Sequence, residues 1–597
     1  MRNNMCSLCK LNLEELDLSN NGFEGSLPVC LNNLTSLRLL DLSRNDFRGT
    51  IPPSLFSNLK SLEYISLSYN HFEGSIYFGS LFNHSRLEVF ELSSNNKYLK
   101  VEIENPTWSF PLFQLKVLQL SNCTLNWPSQ VVPSFLLSQY DLRVVDFGYN
   151  NMTGKVPTWL LANNTKLEYL SFESNSLTGV LDLGSSSIHY HMRLLDFSLN
   201  CIHGELPPFI GSIFPRLEVL NLSGNALQGN IPSSMGDMEQ LGSLDLSNNN
   251  LSGQLPEHMM MGCISLEVLK LSNNSLHDTL PIKSNLTRLS SLSLDNNDFW
   301  GEISRGFLNS SSLLLLDVSS NSLMGQIPDS IGDFSALRTL ILSRNYLDGA
   351  VPTGFCKLNE LRFLDLSHNK IGPTLPLCAN LTNMKFLHLE SNELTGPIPH
   401  VLAEATSLVT LNLRDNKLSS PIPPWISLLS KLRVLLLKGN QLEDSIPLHL
   451  CPIPPEIGNL SGIHTLNLSY NQLTGSIPHT FSNLKEIESL DLSHNRLTGQ
   501  IPPQMVIELN FLTIFTVAHN NLSDQSCTPT SASPAVKPPV SDNRENSSWE
   551  AIFLWSFGGS YGVAFLCIVA FLYLNSYYRE LLFYFIGEHV PFLRLRG

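Results

Sequence analysis

Apolar positions along most of this chain follow one phrase, L-x-x-L-x-L-x-x-N-x-L-x-G-x-I-P, which returns about every 24 residues. Leu241, Leu244, Leu246, Asn249, Leu251, Gly253, Leu255 and Pro256 carry it in full. Other copies begin at Leu37, Leu217, Leu313, Leu337, Leu408 and Ile487, and 21 copies lie between Leu13 and Leu522. Within L-x-L the period is two, which predicts a short strand with its leucines inward and its x residues outward. A fixed period of this length marks units that cannot bury their apolar face alone and therefore stack. The Asn after each strand is expected to turn the chain and to bond backbone groups of the neighbouring coil. Cys123 holds that position in one copy as a small buried substitute. The Gly suits a backbone shape closed to Cβ, and the Pro ends any regular run.

Stacked copies place parallel strands about 4.8 Å apart, so the array predicts one sheet along an inner arc of roughly 100 Å. Wider outer segments such as Ser233–Gln240 force curvature. The fold class is therefore an α/β solenoid, a leucine-rich-repeat horseshoe or superhelix of about 21 repeats spanning residues 1–524. Hydrophobic residues at 43% and charged residues at 15% suit a long buried core. A net charge of −15 argues against a nucleic-acid backbone as partner.

The pattern changes after the repeats. Residues 525–550 are rich in Pro and Ser, mildly acidic and poor in large apolar groups, which predicts a disordered linker. Ala551–Leu574 then runs for 24 residues without a charge, long enough to cross a bilayer as a helix. Trp549, Trp555, Tyr573, Tyr577 and Tyr578 lie near its ends, as interfacial aromatics do. Residues 575–597 form a short tail. Gly558 and Gly562, with Ser560 and Ala564, make a small-residue stripe on which a second membrane helix could pack.

These residues together resemble a known family. The L-x-G-x-I-P form of the repeat looks like the plant-specific type. A long array, one C-terminal membrane helix and a stub tail look like a plant leucine-rich-repeat receptor-like protein, kinase-lacking and membrane-anchored. Ile463–Pro478, Ile487–Asn495 and Leu572–Arg579 resemble that family's C-terminal repeats and juxtamembrane segment. The resemblance implies a single-pass plasma-membrane receptor, repeats outside and tail inside, acting in defence or development. It would bind an extracellular peptide, protein or glycan ligand and signal through an adaptor receptor-like kinase, paired through the membrane helix, and a co-receptor kinase. A non-signalling decoy, an inhibitor of secreted enzymes or a non-functional truncated relative is the alternative.

Three family features are not found. No apolar stretch of signal-peptide kind precedes the repeats, and no paired-cysteine cap precedes Leu13. The step from Leu432 to Ile463 is 31 residues, with two outer segments meeting at Cys451 and Pro452 and no strand between. The expectation is a chain truncated at its N-terminus and lacking the family's non-repeat island, with a deletion junction at 451–452.

Sequons for N-glycosylation number 15, all before the membrane segment. Candidate sites are Asn33, Asn83, Asn122, Asn151, Asn163, Asn250, Asn273, Asn285, Asn309, Asn380, Asn459, Asn521 and Asn546. Asn221 and Asn467 fall inside predicted strands, where a glycan would crowd a ligand. Cys30, Cys356, Cys378 and Cys451 are expected as buried single thiols, and Cys6-Ser-Leu-Cys9 as repeat packing rather than a redox or zinc site. No nucleotide-loop, zincin or nucleophile-elbow motif occurs, so no enzyme, cofactor or metal is expected. His189 and His191 read as a solvated loop.

Ligand recognition on such arrays uses outward positions that break the consensus. His388, Glu390, Asn412, Arg414, Asp415 and Lys438 do so on three successive strands and are the leading concave candidates for a peptide, although a solvated charged face accounts for them more simply. Tyr69 and Tyr149 are outlying aromatic options. Two loops, 96–112 and 126–140, carry Trp108, Phe110, Trp127 and Phe135, which either form a lateral binding surface or fold back into the core.

Overall fold

The computed structural model describes residues 10–95, 98–103, 110–126, 129–183, 188–305, 309–376, 381–443 and 453–523. The chain divides into two units, Met1–Gln525 and Ser526–Gly597. The described residues all belong to the first. The expected linker, membrane helix and tail, with Gly558, Ser560, Gly562 and Ala564, lie outside them. Among the described residues no helix is long and apolar enough to cross a membrane.

One parallel sheet of 21 strands runs through the first unit, from Glu15–Asp17 to Ile514–Thr516. Most of its strands are three residues long, an inward leucine between two outward neighbours, as in Val219–Asn221. The register is one coil to the next without slippage: Leu16 opposes Leu40, Leu220 opposes Leu244, Leu466 opposes Leu490. Identical side chains therefore stack in rows, and those leucines are almost wholly buried. Each contributes about 1.5–3 kcal/mol relative to exposure.

The ladder asparagines tie successive coils together. Asn321 donates from Nδ2 to the carbonyls of Leu294 in the preceding coil and of Val318 and Ser319 in its own, at 3.0–3.1 Å. Its Oδ1 accepts the N–H of Phe299 at 3.0 Å. Cys123 directs its Sγ at the corresponding carbonyls, Leu92 and Ser121, as expected for a stand-in.

The L-x-G segment holds more structure than its sequence suggests. It forms a second ladder of short parallel strands, in runs of five, ten, two and three. Its glycines carry positive φ within the ladder; at Gly349 (φ 73°) a Cβ would come 2.9 Å from Gln326 Cγ. Its pairing thins after Ile371, where the N–H groups of Glu393 and Thr395 still donate to the Ile371 and Pro373 carbonyls, and after Leu418, where Ser419 bridges Gln441. The opposite side of each coil is mostly a 3-10 turn that follows a Pro, as at Ser233–Asp237 and Asp329–Asp333.

Three expectations are corrected. Cys30 and Cys356 are disulfide-bonded, not single thiols; Cys6, Cys9, Cys378 and Cys451 lie outside the described residues. The first irregular loop is partly regular, since Leu99–Glu102 joins the second ladder between His71–Tyr77 and Thr124–Leu125. Its Phe110 is exposed, whereas Phe135 of the second loop packs on Phe78, Phe82 and Phe113; Trp108 and Trp127 lie outside the described residues. His189 is buried against Phe214 rather than solvated, and burial lowers its pKa. It occupies a position that is apolar in most coils and that His84, Gln139, Asn164 and Ser310 also fill. Gln139 there accepts the N–H of Leu115 and donates to Phe113, and Asn164 accepts the N–H of Leu142, whereas His189 Nδ1 is buried with no partner among the described residues. Residues 451–452 themselves are not described, but Val434–Leu436 pairs directly with Thr465–Asn467. The 31-residue step is thus absorbed outside the long sheet.

Candidate functional site

Two outward columns run along the long sheet. One is the x of L-x-L, the other the Ser two residues on. In the regular coils they bond to each other: the Ser backbone N–H and Oγ both donate to the same side-chain oxygen. Ser198 does this to Asp196 (2.8 and 2.6 Å), Ser223 to Asn221 (3.2 and 2.8 Å) and Ser247 to Asp245 (3.0 and 2.6 Å). The inner Asp therefore closes its own strand end, as the recurring D-L-S suggests. Burial pushes Asp196 and Asp317 of this column up to about 6, against the hydrogen bonds from Ser198 and Ser319.

Three successive coils abandon the pair. D-L-S becomes His388-Leu389-Glu390, then Asn412-Leu413-Arg414, then Leu436-Leu437-Lys438. Asp365 precedes them with a regular bond from the Ser367 N–H, and Asn467 with Ser469 restores the pattern after them. The replaced positions are not a solvated face. Glu390 and Asn412 are only 8% and 5% exposed. Arg414 lies against Glu390, Nη2 to Oε1 3.7 Å. Burial raises the Glu390 pKa, with Arg414 opposing it; burial lowers that of His388, with Asp365 opposing it. His388 Nε2 and Glu390 Oε2 are buried and have no hydrogen-bond partner among the described residues. Phe363 stacks obliquely on Phe386 and His388, ring centroids 5.9 and 5.5 Å away.

The remaining candidates sit on the flank where each strand turns toward its ladder Asn. Asp415, Tyr69 and Tyr149 all have positive φ there. Tyr69 is half-exposed beneath the Arg44 guanidinium, 5.3 Å from the ring centroid, and the Tyr149 hydroxyl donates to Glu173. They lie ten or more coils from His388, so the structure does not gather them into one site. Lys438 reaches along the same flank over Tyr470, at 5.1 Å. Tyr470, His494 and His519 then stack face to face at 4.0 and 4.1 Å, a column the sequence reading missed. An aromatic or His repeated before the ladder Asn was the available signal.

Among the sequons, Asn33, Asn83, Asn151, Asn163, Asn250, Asn273, Asn285, Asn309, Asn459 and Asn521 are exposed. Asn122 differs, because its Nδ2 donates to the Ser94 carbonyl. Asn221 and Asn467 are engaged in the inner column, and Asn380 and Asn546 lie outside the described residues.

Comparison with known proteins places this surface in context. Profiles described as leucine-rich repeat match residues 215–276, 311–371 and 461–522, and 12–34, 36–59 and 407–429. Receptor-like protein 1 of Arabidopsis thaliana is 35% identical over 29% of this chain. A solved TDR receptor is 30% identical, with 87% of each chain covered and a TM-score of 0.74. The chain belongs to the plant leucine-rich-repeat receptor-like proteins. The solved complex of the Arabidopsis receptor kinase HAESA with the peptide hormone IDA and the co-receptor SERK1 is 27% identical to this receptor-like chain. It covers 87% of this chain and 84% of its own, with a TM-score of 0.64. The aligned part of the chain spans 15% of the length of Receptor-like protein 1.

Proposed function

We propose that this chain is a cell-surface receptor that binds an extended extracellular peptide on the long sheet and signals through partner receptor kinases in plant defence or development. The observation that carries the reading is the loss of the Asp–Ser pair in three consecutive coils, at His388/Glu390, Asn412/Arg414 and Leu436/Lys438. Consensus residues there would close each strand end on itself. The substitutes leave buried polar atoms, His388 Nε2 and Glu390 Oε2, able to bond something laid across the strands. That HAESA holds a peptide hormone supports a peptide over other ligands.

An extracellular placement of the repeats accords with disulfide-bonded Cys30 and Cys356, which suit an oxidising compartment, and with ten exposed sequons. In this reading Ala551–Leu574 crosses the membrane, and Gly558, Ser560, Gly562 and Ala564 contact the helix of an adaptor kinase. The test is to express the full chain in plant cells with a C-terminal tag and treat it with an N-glycosidase. A large mobility shift, together with kinase co-precipitation that falls when Gly558 and Gly562 are replaced by Leu, is expected. An unshifted chain would refute the cell-surface reading.

A further inference from the structure

A third column borders the long sheet on the side where each strand begins. Its members follow one another by backbone bonds, the N–H of each donating to the carbonyl of the one before: Arg362 to Arg338, Lys385 to Arg362, Val409 to Lys385, Arg433 to Val409, all at 2.8–2.9 Å. In the first half of the array this column is charge-compensated. Arg38 meets Glu63, Lys116 meets Glu88, Arg143 meets Glu168 and Arg193 meets Glu218, at 2.6–4.0 Å. Between Arg338 and Arg433 the column holds no acid, and the next one, Glu488, pairs with His464. Arg338, Arg362 and Lys385 are three cations on adjacent coils, and none makes an ion pair among the described residues. Adjacent strands lie about 4.8 Å apart, so the run spans roughly 10 Å.

Like charges so close repel, a cost that adjacent Glu residues remove elsewhere in the same column. Glu360 beside them is exposed and unpaired with them. Arg338 is half-buried, and its Nε is buried with no partner among the described residues. Directly inside the cations lie the half-buried Phe363 and Phe386. The chain as a whole is strongly acidic, so this basic edge stands against the general charge.

We infer that Arg338, Arg362 and Lys385 form an anion-reading edge for the ligand, and that the ligand is a peptide with acidic side chains at alternate positions. The inference rests on the peptide reading of the sheet face. An extended peptide alternates its side chains, so carboxylates would meet the cations while apolar side chains cover Phe363 and Phe386. About four residues span the run. A polyuronide offers equal charge but nothing for the phenyl rings.

The experiment uses the purified full chain and three labelled probes: a decapeptide of alternating Glu and Phe, one of alternating Lys and Phe, and a uronic-acid decasaccharide. The Glu/Phe peptide should bind in a salt-sensitive manner and weaken roughly tenfold or more in Arg338→Glu/Arg362→Glu/Lys385→Glu. Arg362→Glu/Lys385→Glu changes exposed residues only and should reproduce most of that loss should the triple variant fold poorly. Arg38→Glu and Arg143→Glu, in the compensated part of the column, should leave affinity unchanged. Equal affinity in wild type and reversal variants, or tighter binding of the saccharide, would overturn the inference. Hydrogen exchange separates the two claims. Protection of Phe386–His388 and Thr410–Asn412 with no effect of charge reversal removes the edge and keeps the sheet site. Reversal-sensitive binding without that protection removes the sheet site and keeps the edge.

Discussion

Coils at Asp196, Asn221 and Asp245 and coils at His388, Asn412 and Leu436 share one interior and differ in one surface. Asn440 in the second group makes the same bonds as Asn321 in a regular coil: Nδ2 to Leu413, Leu437 and Lys438, and Oδ1 from the Leu418 N–H. Inward leucines are equally buried in both groups. Outside, the first group ties each strand end to itself with an Asp–Ser or Asn–Ser pair, and the second replaces that pair with Glu390, Arg414 and Lys438. The lesson is that stacking energy and recognition reside in separate columns. The solenoid can therefore alter one without weakening the other.

The largest test of that separation is at the ladder. Asn321→Ala leaves several buried backbone groups unpaired and should cost about 3 kcal/mol. Asn440→Ala should cost the same despite its different surface. Because a solenoid opens locally, the readout is amide-exchange protection of the flanking strands rather than a single melting point. A much smaller loss at Asn440 would show that the two groups do not share an interior.

A smaller effect is expected at the altered surface. Arg414→Ala leaves the Glu390 carboxylate without its cation and should destabilise by about 2 kcal/mol, less than a fully buried pair because the Arg414 side chain is 21% exposed. Glu390→Ser combined with Arg414→Ser removes both charges, rebuilds an Asn–Ser pair at Asn412 and should return local stability to within about 1 kcal/mol of wild type. Ligand binding should not return with it. Recovery of both would place recognition elsewhere.

The finest distinction concerns pH. Asp317, in a regular coil, is pushed up to about 6 by burial, whereas an unfolded aspartate titrates near ~3.9. The folded chain then holds the proton over a window where the unfolded chain has lost it. Stability from this group is highest below about pH 4 and declines as pH rises through about 6. Asp317→Asn should therefore stabilise its coil at pH 7.5 by on the order of 1 kcal/mol and give no advantage at pH 4. Exchange protection at the two pH values measures it. The same advantage at both would mean that the shift is not electrostatic.

Much of this was legible in the phrase itself. Leucine spacing predicted the strands, the recurrent Asn predicted the ladder, and even Cys123 was identified as a substitute from its place in the series. The second ladder was not, because L-x-G has too few residues to show a period and its strands exist only by pairing with the next coil. Burial of His388, Glu390 and Asn412 was equally hidden. A charged residue at an outward position is solvated when its neighbours are small and enclosed when they are Phe363, Phe386 and Arg414. The basic edge escaped notice because its members lie 23 or 24 residues apart and compensation is visible only across coils.

The sequence alone determined the solenoid, its register and its interior, because a repeated apolar spacing has one way to bury itself. Only the tertiary structure decided which polar residues are enclosed, which charges are answered and which cysteines are bridged. Those properties belong to pairs of residues one coil apart, a few ångströms distant in space and a full repeat apart along the chain.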